Sequence, residues 1–265
     1  MTKDKFKEEY TRWIRSAAKD IAFGLNQLKQ DEVKRIISLN EQYLKEPESV
    51  YGIDGLEAVK KLVPENILLL STDAVVFSQS IFSPLPSVFD YAVALSRRYY
   101  LGMWYSILTF NKTYLKEATE IMIRYTVEHE LLQKEVYEEN LRTKPRKFTP
   151  EEKRKISIDT LKQAIEKTGI TQEELERENQ IMLKISSVSP LIPKPFAETA
   201  LYWYLEKNIE NLRHLGEVSR TEKEEELGKK LNSDFKEWMD FSMYTYRIFL
   251  SDIKKELDYM GYSYA

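Results

Sequence analysis

Residues Ser87–Phe110 read SVFDYAVALSRRYYLGMWYSILTF, the most aromatic stretch of the chain, with Phe89, Tyr91, Tyr99, Tyr100, Trp104, Tyr105 and Phe110. No strict apolar–polar alternation with hairpin punctuation marks this stretch or any other, so it reads as one long helix. Upstream, Asn66–Phe82 is apolar on more than one side, as a central helix would be. Ser83-Pro-Leu-Pro86 reads as the turn between them. Downstream, Asn111–Asn140 reads as a further long helix. Ala118, Met122, Tyr125, His129, Leu132 and Val136 share one face, and Ile123, Val127 and Leu131 lie opposite.

The rest of the chain has the same helical period. Phe6, Tyr10, Trp13, Ala17, Ile21, Leu25 and Leu28 form one stripe, and Val33–Leu44 follows until Pro47 stops it. Asp54 with Glu57 resembles a capping pair opening Gly55–Leu62. Thr149, Pro150 and Glu152 form a capping box with proline at the first helical position, and Gly169 is a natural C-terminal cap. Thr171 and Glu174 repeat the box, so 149–187 reads as an inserted α-hairpin. Pro195 opens a helix reaching about Gly216. Thr221 and Glu224 cap a last helix of over thirty residues, from Leu227 to Met260.

These readings give an all-α fold. Its four longest elements are 87–110, 111–140, 195–216 and 221–261. Short links join the first pair and the last pair, and a long crossover joins the two pairs. That is the layout of ferritin-like bundles. The expected division is an N-terminal helical segment, 1–82, packed on a bundle, 83–265.

Composition narrows the function classes. The 265 residues include no cysteine, which removes disulfides, thiolate metal sites and cysteine nucleophiles. Lys+Arg number 40 against 43 Asp+Glu, a net charge of -3, which argues against nucleic acid as a partner. The opening MTKDKFKEEYTRW lacks the apolar core of a secretory signal. No stretch is apolar enough to span a membrane. A cytoplasmic protein is expected, and the Lys/Glu-rich, Cys-free composition suggests a thermophilic source.

Phosphate-loop, dinucleotide-binding, nucleophile-elbow and HExxH motifs are absent. With two histidines in the chain, any histidine chemistry rests on His129 and His214. His129 lies on an apolar face with Glu128 and Glu130 adjacent. His214 follows Glu210 by four residues and precedes Glu217 by three. The ferritin-like layout implies a two-metal carboxylate site, here drawn from Glu120, Glu128, His129, Glu206, Glu210 and His214, holding iron, manganese or zinc. The chain departs from the usual Glu-x-x-His pattern, because position 126 is Thr and position 211 is Asn.

Arg124 and His129 form R-x4-H, which resembles the short motif of HEPN ribonucleases and would imply an RNA-processing module. Tyr125 stands where that family tends to carry a polar residue. Asp90, Arg97 and Arg98 interrupt the aromatic stretch, either as a partly buried ion pair or as paired arginines that recognise an anion beside aromatic walls. The basic run Arg142, Lys144, Arg146, Lys147, Lys153, Arg154 and Lys155 reads as solvated linker. The leading expectation is a non-enzymatic binding or assembly protein. Its long amphipathic helices would meet a protein partner or a second copy of the chain. The alternatives are the metal-binding bundle and the RNA-processing module.

Overall fold

The computed structural model describes residues 2–77, 93–143 and 148–264. The expected turn at Ser83–Pro86, the 82/83 division and Asp90 lie outside them.

The all-α, ferritin-like reading is overturned. The chain is mostly helical but is built on β-sheet. The expected helix over 87–110 is instead strand β3 (Val93–Tyr100) and the first part of β4 (Met103–Asn111). The expected helix over 66–82 contains β1 (Ile67–Thr72) and β2 (Val75–Phe77). Gly55–Leu62 is a series of turns.

The physical reason is burial on both faces. Helices cover both sides of β4, so WYSILTF is a near-continuous apolar run without alternation, which a wheel reads as buried helix. Tyr105 and Ile107 enter one apolar core, and Leu108 and Phe110 enter the other. The hairpin signal was hidden too. Its two-residue turn is Leu101-Gly102, with φ of 48° and 84°, where such turns favour Asn-Gly.

β4 is the centre of the main sheet. It pairs in parallel with β1 and antiparallel with β3. A short strand β6 (Glu217–Val218) pairs antiparallel with Met103 and Trp104. Since β3 takes one edge of β4 along its whole length, β6 and β1 follow one another along the other edge. Asn66 Nδ2 donates to Glu217 at 2.7 Å where they meet. A second small sheet pairs β2 in parallel with β5 (Leu191–Pro193).

One helical layer holds α1 (Lys3–Leu25), α2 (Gln30–Lys45), α7 (Lys194–Leu212) and α8 (Glu222–Tyr259). At 38 residues and 1.5 Å per residue, α8 is roughly 57 Å long. It lies along α1 for much of its length. Tyr246, fully buried on α8, donates to Asn40 Oδ1 of α2 at 2.5 Å, and Asn40 Nδ2 donates to the Ile36 carbonyl at 2.8 Å.

The other layer holds α3 (Lys112–Glu117), α4 (Glu120–Thr143), α5 (Pro150–Thr168) and α6 (Gln172–Val188). Here the local sequence signals hold. Both Thr–Glu capping boxes form, and Gly169 adopts the left-handed C-cap at φ 68°. The expected helix from 111 to 140 breaks at Ala118, giving α3 and α4.

Candidate binding cleft

Faces of α4, α5, α6 and α7 and the edge of β3 line a cleft of about 1020 Å³ beside the sheet. From α4 come Tyr125, Thr126, His129, Glu130 and Gln133; from α6, Leu175, Glu178, Asn179 and Met182; from α7, Lys194, Ala197, Glu198 and Leu201. Each set follows the three-and-four spacing of a single helical stripe. β3 contributes Val93 to Ser96 and Arg98. The cleft therefore bends around the outer edge of β3, from the α4–α6 layer towards α7.

Glu130 is the best-placed group in the cleft. Its Oε2 accepts the backbone N–H of Leu95 at 2.9 Å. Burial pushes its carboxyl up to about 7, against a smaller lowering by the Leu95 N–H. Glu178 is a second carboxyl with the same character. Its Oε1 accepts from Tyr114 at 2.7 Å and from Thr126 at 2.8 Å. Burial nevertheless raises it above the usual carboxylate range, with the two hydrogen bonds opposing. Among the described residues, no Lys or Arg pairs with either carboxyl.

His129 adjoins Glu130 on α4 and lines the same cleft. The Gln133 side-chain amide meets its Nε2 at 2.7 Å. Burial lowers its pKa, and the Thr160 backbone acts in the opposite sense. Tyr125, on the same wall, is raised to about 12, chiefly by burial.

Towards α7 the sign of the charge reverses. Arg98 lies 3.6 Å and Lys194 3.9 Å from Glu198, so two cations share one carboxylate. The other arginine of the pair, Arg97, is engaged elsewhere. It lies 2.8 Å from Glu224 and stacks 4.8 Å from the Trp104 ring centre.

The six metal candidates fall into the two separate helical layers. Glu120, Glu128 and His129 are on α4. Glu206 and Glu210 are exposed on α7, and His214 is exposed in the 3-10 turn after it. Glu120 pairs with Arg124 and Glu128 with Lys167. Among the described residues, no group of three or more His, Cys, Asp or Glu could hold a metal ion. Arg124 is exposed, whereas His129 lines the cleft. Five residues apart on one helix, they diverge by about 140°.

Sequence reasoning named Glu130 only as a neighbour of His129 and did not single out Glu178. The available signal was a glutamate on an otherwise mixed helical stripe, Thr126–Glu130–Gln133 and Leu175–Glu178–Met182. The contact that gives Glu130 its role comes from Leu95 on another element. No helix among the described residues is long and apolar enough to cross a membrane. Comparison with known protein families, curated proteins and solved structures gives no match.

Proposed function

We propose that the chain is a binding protein whose ligand enters the cleft beside β3 and presents a cationic nitrogen to Glu130 and Glu178. One observation carries the reading: two carboxyls raised by burial open onto one cavity, and among the described residues no Lys or Arg forms an ion pair with either. An unpaired buried carboxylate is costly, and a fold retains two of them at little benefit to its own stability. A ligand ammonium would supply the missing charge and the donors for the second oxygen of each carboxyl. The cleft is large enough for an organic molecule, and apolar side chains such as Leu95, Leu175 and Met182 would bury its carbon skeleton. Burial disfavours the protonated form of His129, which limits its repulsion of a cation.

The test is methyl NMR on the whole chain at pH 8, titrated with n-butylamine and, separately, n-butanol. The amine shifts the methyls of Leu95, Leu175 and Met182, and the alcohol does not. In the Glu130→Gln, Glu178→Gln double variant the amine loses this advantage. Equal responses to amine and alcohol in the unmodified protein would overturn the reading.

A further inference from the structure

The cleft has two charged ends, and the distance between them limits what fits. At one end stand Glu130 and Glu178, with which no Lys or Arg among the described residues forms an ion pair. At the other, two cations, Arg98 and Lys194, share the one carboxylate of Glu198. The outer edge of β3 runs between the two ends. Leu95, whose N–H meets Glu130, and Arg98 are three residues apart, roughly 10 Å along a strand.

That edge has the form of a docking strand. Among the described residues, no strand pairs with it, because β3 is the end member of the sheet. Two of its backbone groups are met by side chains. Glu130 takes the Leu95 N–H, and the Arg98 guanidinium donates to the Arg97 carbonyl at 3.0 Å. Such side chains blunt a strand edge against indiscriminate pairing. The same two side chains carry the charges of the two ends. Ala94, Ser96 and Ala197 keep the intervening wall shallow.

We infer that the ligand is a short extended peptide of about three residues with both termini free, laid along β3. Its ammonium sits at Glu130 and Glu178, and its carboxylate at Arg98 and Lys194. A single amino acid holds its two charges only a few ångströms apart and cannot reach both ends. An extended tripeptide spans about 10 Å and can. Backbone hydrogen bonding to β3 makes recognition largely independent of side-chain identity. The inference rests on the binding-cleft reading above and specifies the ligand for that site.

Calorimetric titration of the unmodified protein with trialanine at pH 8 tests it, and does not depend on a variant folding. Trialanine binds; N-acetyl-trialanine and trialanine amide each bind at least about tenfold more weakly, a difference of 1.4 kcal/mol; alanine gives no measurable heat. In the Glu130→Gln, Glu178→Gln variant, trialanine and its N-acetyl form become equal, while the amide is still discriminated. In the Arg98→Gln, Lys194→Gln variant the pattern is reversed. Equal binding of trialanine and both capped forms would overturn the inference. So would absence of trialanine binding while n-butylamine still shifts the cleft methyls, which would leave the amine reading standing. Failure of both trialanine and butylamine would remove the two together.

Discussion

Glu130 of α4 and Leu95 of β3 are joined by a carboxylate-to-amide hydrogen bond of 2.9 Å at the outer edge of the sheet. The bond ties a helix of one layer to the strand that borders the cleft. It also places an ionisable group where ionisation is opposed by burial.

The first prediction concerns pH. Folding raises the Glu130 carboxyl from its ordinary 4.5 to about 7. The folded state therefore binds more protons than the unfolded state between those values. Its contribution to stability is fully present below pH 4.5 and is lost as pH rises through 7. The loss is on the order of 3 kcal/mol. Glu130→Gln keeps an acceptor for Leu95 but cannot ionise. Thermal unfolding between pH 4.5 and 8.5 checks this. The variant gains on the parent as pH rises and is several degrees more stable at pH 8. Parallel profiles would show that the carboxyl titrates normally.

A second prediction uses α8 against β3. A methyl group on Gly228 would overlap the Tyr99 ring. In a solvent-facing helix, glycine to alanine gains about 1 kcal/mol. Here the clash outweighs that gain, and Gly228→Ala lowers stability by about 1–3 kcal/mol in urea unfolding. Replacing Tyr99 with Leu in the same chain recovers part of the loss.

The hairpin tip gives the opposite sign. Leu101 has φ of 48° and is 67% exposed. It therefore bears backbone strain with little burial in return. Leu101→Asn relieves that strain, since asparagine tolerates the left-handed region, and raises stability by about 0.5–1 kcal/mol. Urea midpoints of the two proteins decide it.

A fourth concerns the core between α2 and α8. Tyr246→Phe removes the donor to Asn40 Oδ1 and strands a buried acceptor. The cost is about 1–3 kcal/mol. Adding Asn40→Leu, which removes the stranded acceptor, recovers stability relative to the single variant. A double-mutant cycle by chemical denaturation measures the coupling.

What was legible in the sequence was what is local. Thr149 with Glu152 and Thr171 with Glu174 read correctly because a capping box closes within four residues. Thr221 likewise marks the start of α8. The strands were missed because their signal depends on what covers them. ILLLST of β1 and WYSILTF of β4 are apolar on both faces only because a helical layer packs on each. The site was less legible than the fold. Arg98 was noticed beside Arg97 as one of two paired cations, yet the structure gives them different partners, Glu198 and Glu224. Strand geometry separates neighbours in this way, since successive side chains point to opposite faces. Glu130 and Glu178 gain their character from Leu95 and Tyr114, contacts that no periodicity predicts.

The most direct test of the account is the titration of the Glu130 side-chain carboxyl, followed by carbon-13 NMR in the whole chain. It is measured alone and then saturated with n-butylamine. The midpoint is expected near 7 in the free protein and falls clearly when the amine is bound, because a cation at the cleft favours the ionised form. A midpoint in the ordinary carboxylate range, or one that the amine leaves unmoved, would contradict it.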